Sequence, residues 1–311
     1  MKTENFTLTA ADGLEVFIYR WLPERPVIAV IQIAHGLAEH AGRYARLAES
    51  LTAAGYAVYA NDHRGHGRTA KSASDLGLFA KQGGWQKCVD DLWRLNRHIA
   101  MAHPRFPMVL LGHSMGSTLA EQFMGDHGDV LAGVALSGLN GNPTSVAAVG
   151  RGIVRAERVR MGARGKSKLV QSLTFDAFNK KFAPARTAFD WLSRDPAEVD
   201  KYVADPHCGF AATTQLWVDL LDAWAEVSTR NHRERVPRDL PIYVIAGGRD
   251  PVSGNTRQIE AWLADYRAAG FSKLEHHFYP EARHELFNEV NREEVTGDLL
   301  RWLNRLLGTG R

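Results

Sequence analysis

Gly112-His113-Ser114-Met115-Gly116 follows the apolar run Val109-Leu110-Leu111 and opens a helical stretch that reaches Met124. The G-x-S-x-G pattern acquires meaning from that setting. A serine between a buried strand and a helix sits on a sharp turn, and Gly112 and Gly116 leave room there for the neighbouring backbone. Its hydroxyl is then presented at the carboxyl edge of the sheet, where ligands of open α/β sheets bind. The helix N-terminus just beyond favours developing negative charge. A serine N-cap has the same local pattern, so the rest of the chain must decide between a nucleophile and a cap. His113 adjoins the serine, but adjacent residues at such a turn diverge, and it is assigned a shaping role.

Upstream, FTLTA (6–10) and LEVFIYRWL (14–22) flank Ala11-Asp12-Gly13, a strong hairpin signal. VIAVIQIA (27–34) is almost continuously apolar, as expected of a strand buried on both faces. A helix is expected over 43–54, a strand over 56–61, and an amphipathic helix over 85–102 with Val89, Leu92, Leu95 and Ile99 at helical spacing. A strand at 106–112, a helix at 114–124 and a strand at 131–137 follow. Residues 140–235 then show no convincing strand and are helical, aromatic and locally basic. Alternation resumes with a strand at 240–246, a helix at 256–269, a strand at 274–279 and a final helix at 286–307. The class is α/β, a parallel sheet with helices on both faces. Residues 1–139 and 236–311 form one core, and 140–235 are a helical cap inserted into it.

Composition narrows the function. The chain has 311 residues, 45% hydrophobic and 23% charged, ordinary for one large globular core. A net charge of +3 gives no reason to expect nucleic-acid binding. Cys88 and Cys208 have neither metal-ligand spacing nor a disulfide framework. No metal and no cofactor is therefore expected, and the default location is cytoplasmic. Glu4 and Asn5 interrupt the N-terminus where a signal peptide needs an apolar stretch. The most apolar run, 27–34, is too short to span a bilayer. No oligomeric state is assigned.

Nucleophilic catalysis at Ser114 needs donors for an oxyanion. The backbone N–H of Met115 is the first. The second belongs in the loop after the earlier strand, where His35-Gly36-Leu37 lets the backbone approach closely, and the N–H of Leu37 is chosen.

Three segments in order, His35-Gly36-Leu37-Ala38-Glu39-His40-Ala41-Gly42-Arg43-Tyr44, Asp62-His63-Arg64-Gly65-His66-Gly67-Arg68-Thr69 and Gly112-His113-Ser114-Met115-Gly116, together resemble the monoacylglycerol lipase and lysophospholipase branch (serine aminopeptidase S33-type) of the α/β-hydrolase superfamily. The resemblance covers both core halves, and in the cap it lies in position and composition. It implies a mostly parallel eight-stranded sheet and a serine–acid–histidine order. Asp250 follows the strand LPIYVIA in a G-x-x-D-x-V setting that resembles the family's acid. His284, one of thirteen histidines, precedes the last helix and follows the strand LEHHFYP, which makes it the best base. His276 and His277 lie within that strand. Asp219 and Asp222 fall in a helical pattern and are read as cap residues. Arg249 would only keep Asp250 ionised. His63, Arg64 and His66 hold their loop by hydrogen bonds. Glu39 and His40 brace the oxyanion loop, and His40 could also border the entrance.

The cap supplies Phe175, Phe178, Phe182, Phe189, Trp191, Phe210, Trp217 and Trp224, which collectively suit an apolar acyl or aromatic substrate. Cys208 lies either near the pocket or inert in the core. Arg151, Arg155, Arg158, Arg160, Arg164, Lys166 and Lys168 face Glu157 alone in sequence, and a transient contact with an anionic membrane surface is expected there. A solvated helical face is the plainer alternative. The expected function is hydrolysis of monoacylglycerol, lysophospholipid or short acyl esters through an acyl-enzyme. A peptidase or amidase, an acyltransferase, or a non-catalytic binding module on the same fold are the alternatives. An aspartate at the elbow, as in haloalkane dehalogenases and epoxide hydrolases, is excluded by Ser114.

Overall fold

The computed structural model describes residues 1–308. Its strands are β1 (Lys2–Thr9), β2 (Glu15–Leu22), β3 (Ala29–Ala34), β4 (Tyr56–Asn61), β5 (Met108–His113), β6 (Gly133–Ser137), β7 (Ile242–Gly247) and β8 (Leu274–Tyr279). They form one eight-stranded sheet in the order β1-β2-β4-β3-β5-β6-β7-β8. Only β2 runs antiparallel to its neighbours, and the strands from β4 to β8 are parallel. β3 to β7 are buried along their whole length, which is why they read as unbroken apolar runs. β8 is the far edge, and His276 and His277 are exposed there.

The helices are α1 (Ala45–Ala53), α2 (Gly84–Ala102), α3 (Met115–His127), α4 (Ser145–Met161), α5 (Lys168–Leu173), α6 (Phe175–Lys180), α7 (Pro196–Ala204), α8 (Thr214–Val227), α9 (Arg230–Arg235), α10 (Arg257–Ala268) and α11 (Arg292–Leu307). Alternate side chains of each strand serve opposite faces. Val109 and Leu111 of β5, with Tyr243 and Ile245 of β7, pack with Leu47 of α1 and Leu299 and Trp302 of α11. Leu110, Ile242 and Val244 pack on the other side with Leu92 of α2, Phe123 of α3 and Trp262 of α10. Between β6 and β7, the described residues form six helices, α4 to α9, and no strand.

One expectation needs correction. The helical pattern assigned to 286–307 is broken: Leu286–Asn288 is a separate 3₁₀ turn and α11 starts at Arg292. Side chains take the carbonyls that a continuous helix would use. Arg46 donates to Phe287 O at 3.0 Å and Ser193 to Asn288 O at 2.8 Å. Among the described residues no helix is long and apolar enough to cross a membrane.

Candidate active site

Ser114 follows the last residue of β5 and precedes α3, with φ 54° and ψ −119°. This backbone is one that L-residues rarely adopt, and its surroundings hold it there. The Ser114 N–H donates to Ser137 O of β6 at 2.9 Å. A Cβ on Gly116 would lie 2.0 Å from Ala34 O, and one on Gly112 2.4 Å from Gly116 O. Both glycines are thus required by backbone packed on backbone. The Cβ position of Gly36 is 3.2 Å from the Ser114 Cβ, which brings the loop after β3 against Ser114.

β7 and β8 lead to the predicted acid and base. Asp250 follows β7 and His284 follows β8, and both are buried. His284 Nε2 is 2.9 Å from Ser114 Oγ, and His284 Nδ1 is 2.8 Å from Asp250 Oδ2. Asp250 Oδ1 accepts the Val252 N–H at 2.9 Å, which fixes the carboxylate. Burial alone would push the His284 pKa down. The charge and hydrogen bond of Asp250, helped by Glu285 and Glu39, outweigh it, and the net shift is upward. His113 is no competitor: burial and the neighbouring His284 push it down to about 4, and its ring packs 4.9 Å from that of His284. Arg249 points away from the acid, toward Glu281 and the Phe182 ring.

The predicted oxyanion donors belong to the loop after β3 and to the start of α3. Leu37 and Met115 both line the cavity that contains Ser114 and His284. Met115 is the first residue of α3, so its N–H has no intrahelical acceptor. The Leu37 loop is braced from several directions. Glu39 Oε1 accepts the Gly36 N–H at 2.6 Å and the Tyr44 hydroxyl at 2.9 Å. His35 Nδ1 donates to Gly36 O at 2.8 Å while its Nε2 accepts the His63 N–H at 3.0 Å. Those two partners fix the tautomer as Nδ1–H. Arg64 is held by Asp12 and Asp91, and His66 bonds to Arg64 O. His63, Arg64 and His66 thus hold their loop by hydrogen bonds, as expected. Two elements of the support escape the sequence reading: Arg43, which donates to both Glu39 and Glu285, and Tyr202, whose hydroxyl donates to Ala38 O at 2.8 Å.

Above Ser114 lies a cavity of about 470 Å³, bounded on the other side by the helices between β6 and β7. Phe175, Phe178, Trp191, Trp217 and Trp224 line it, together with Leu220. Phe182, Phe189 and Phe210 instead pack on neighbouring side chains. Asp219 and Asp222 sit on α8 and are not among the residues lining the cavity. Cys208 is buried outside the cavity lining. The basic stretch is less free than its local sequence implies. Arg151 and Arg155 both bond to Asp222, Arg160 bonds to Glu157, and Arg158 bonds to Gln215. Lys166 and Lys168 are exposed, as are Val159 and Leu169.

The family model described as serine aminopeptidase, S33, matches residues 25–291. A monoacylglycerol lipase of Mycolicibacterium smegmatis is 29% identical over 310 residues, covering 96% of this chain and 95% of its own. A monoglyceride lipase of Mus musculus is 26% identical over 297 residues, covering 91% and 88%. Among solved structures, a thermostable carboxyl esterase from Bacillus coagulans in complex with glycerol shares the fold at a TM-score of 0.90, with 24% identity and 99% of each chain covered.

Proposed function

This chain belongs to the serine aminopeptidase S33 family, in the monoacylglycerol lipase-like branch of the α/β-hydrolases, and from that premise we propose that it hydrolyses monoacylglycerols and related carboxylic esters through an acyl-enzyme on Ser114. The observation that carries the reading is the aromatic-lined cavity opening on the Ser114–His284 pair. A cavity of this volume with few polar groups suits an acyl chain. The helices of residues 140–235 act as its cap.

In this mechanism His284 takes the Ser114 hydroxyl proton as Oγ attacks the ester carbonyl. The N–H groups of Leu37 and Met115 receive the carbonyl oxygen as it becomes an anion. His284 then passes the proton to the departing alcohol. Asp250 orients the imidazole and stabilises its charged form. Water repeats the sequence on the acyl-enzyme and regenerates Ser114.

Aminopeptidase action would require a carboxylate free to bind a substrate ammonium. Glu39 and Glu285 border the cavity, but both are already engaged by Arg43. This supports an ester over a peptide. The outer cap carries exposed Val149, Val159, Leu169 and Leu173, and Val149 and Leu173 also line the cavity. We extend the reading to contact with a lipid surface at this mouth, with Lys166 and Lys168 as its cations.

Labelling with a fluorophosphonate followed by assays of monoacylglycerols of graded chain length tests the proposal. The expected result is covalent label on Ser114, a preference for acyl chains long enough to fill the cavity, and a loss on the order of 10⁶ in turnover for Ser114→Ala. Folded protein that neither labels at Ser114 nor cleaves these esters would overturn it.

A further inference from the structure

His40, Asp205 and Cys208 are distant in sequence and converge where the loop after β3 meets the loop between α7 and α8. His40 Nε2 is 2.9 Å from Asp205 Oδ2. A ring nitrogen of His40, a carboxylate oxygen of Asp205 and Cys208 Sγ all fall within 4.8 Å of one another. Cys208 is 9% exposed, while the His40 and Asp205 side chains are 15% and 30% exposed, so the cluster is closed at its thiol end and reachable from solvent at the other. The backbone around it is already set. Asp205 Oδ1 accepts the His207 N–H at 2.8 Å, and the Cys208 N–H donates to Asp205 O at 3.0 Å. The His207 ring stands 6.0 Å from that of His40, and its Nδ1 is buried with no hydrogen-bond partner among the described residues.

We propose that His40, Asp205 and Cys208 form a binding site for a borderline-soft divalent cation, with Zn²⁺ as the best-matched ion and His207 or water as the fourth ligand. Imidazole nitrogen, carboxylate oxygen and thiolate sulfur together are a zinc donor set, whereas magnesium and calcium take oxygen. Zinc bonds of about 2.0–2.3 Å place neighbouring tetrahedral donors roughly 3.3–3.8 Å apart. The donors lie within 4.8 Å of one another, with His40 Nε2 and Asp205 Oδ2 2.9 Å apart, so side-chain rotations that part this pair and draw in the sulfur complete the fit. Burial holds the Cys208 thiol above its usual range, so without a cation it keeps its proton. When zinc binds, the S–H bond breaks, the proton leaves to solvent and the sulfur–zinc bond forms. His40 binds through a neutral ring nitrogen, exchanging its hydrogen bond with Asp205 for the metal.

The site lies outside the lining of the Ser114 cavity, and its consequence is mechanical. His40 belongs to the core loop that carries the Leu37 N–H, and Asp205 and Cys208 belong to the segment between β6 and β7. The two parts are already joined at Ala38 O, which accepts from Tyr202 Oη at 2.8 Å and from the Gly209 N–H at 2.9 Å. A cation adds a coordination bond across the same seam. It acts as a removable staple between the cap and the oxyanion loop.

Metal-stripped full-length protein titrated with Zn²⁺ by calorimetry, and with Co²⁺ by absorption, tests the site. One equivalent should bind, Tm should rise, and Co²⁺ should give tetrahedral visible bands with a sulfur-to-cobalt charge-transfer band. Cys88 is 1% exposed in the core, so that band reports Cys208. Cys208→Ser should lose the band, and His40→Gln should weaken zinc binding at least about tenfold. The two substitutions lie in separate segments, so a folding defect in one leaves the other as the test. A wild-type Co²⁺ complex without the charge-transfer band, or a band that persists in Cys208→Ser, would overturn the proposal. Unchanged zinc affinity in His40→Gln would do so as well.

Discussion

Arg43 donates two hydrogen bonds to Glu285, at 2.6 and 2.7 Å, across 242 residues of chain. Glu285 directly follows His284. Arg43 also donates to Glu39 at 2.7 Å, and Glu39 holds the Gly36 N–H. One guanidinium therefore ties the histidine's loop to the oxyanion loop. Burial would raise the Glu285 pKa, but the charge and bonds of Arg43 bring it down to about 2. Arg43→Met leaves two buried carboxylates without a counter-charge. Urea unfolding at pH 7 should show a loss of about 3–5 kcal/mol, with Arg43→Lys intermediate because it keeps the charge and loses the fork. A loss under about 1 kcal/mol for Arg43→Met would contradict the importance given to this network.

Under the mechanism proposed for Ser114, the upward shift at His284 should set the acid limb of the activity profile. The base must be neutral to accept the serine proton, so kcat/KM should fall as pH drops through a pKa above 6.5. Asp250→Asn removes the charge that opposes burial. Its limb should move below that of the wild type, and turnover should fall by about 10⁴. An unmoved limb would sink the assignment of Asp250 as the partner that raises the histidine.

Acid should unfold the protein through its buried imidazoles. Burial pushes His63 down to about 3 and His66 down to about 4. Between those values and 6.5 the unfolded chain binds protons that the folded chain refuses, so stability falls as pH falls below 6.5. By pH 5 the expected loss is roughly 2 kcal/mol for each ring. Chemical denaturation at pH 7 and pH 5 measures it, and His63→Gln should flatten the difference.

Glu121 works in the opposite direction. It is fully buried in α3, and its carboxylate accepts the Trp262 indole N–H at 2.7 Å. Burial raises its pKa to about 8, and that hydrogen bond only partly opposes the shift. Because the folded chain holds this proton more tightly, stability falls as pH rises from 4.5 and levels off above 8. Glu121→Gln keeps an acceptor for Trp262 and carries no charge. It should stabilise the protein by roughly 4 kcal/mol at pH 9 and by little at pH 5. Equal effects at the two pH values would refute the buried-proton account.

At the cap mouth, sedimentation with vesicles separates charge from apolar contact. Val159→Asp and Leu169→Asp should weaken binding to both anionic and neutral vesicles, since these side chains are 85% and 49% exposed. Wild-type protein should favour anionic vesicles, though modestly, because the arginines of α4 are engaged within the protein. Equal binding to both vesicle types would remove the role given to Lys166 and Lys168.

Much of this was legible in the residues. Strand runs buried on both faces announce themselves, and Ser114 and Asp250 each follow one, while His284 follows the largely exposed edge strand β8, so their meeting at one edge follows from parallel strands. What could not be read is what depends on tertiary contact. Arg43 and Glu285 reveal nothing of each other in sequence, nor do His40 and Asp205, 165 residues apart. Arg151 and Arg155 looked unopposed because their partner, Asp222, lies on α8. The apolar pattern of Leu286 and Phe287 suits a helix, and only the side chains that claim the Phe287 and Asn288 carbonyls stop one from forming.

The backbone of Ser114, with φ 54°, carries about 1–3 kcal/mol of conformational energy. Over evolutionary time that puts two demands at odds on one codon. Thermal robustness alone would replace this serine with glycine, which adopts the same dihedral angles without strain. Retention of serine in a lineage is therefore a running record that its reaction is still under selection. A descendant relieved of that reaction should drift at this position early, ahead of the surrounding core.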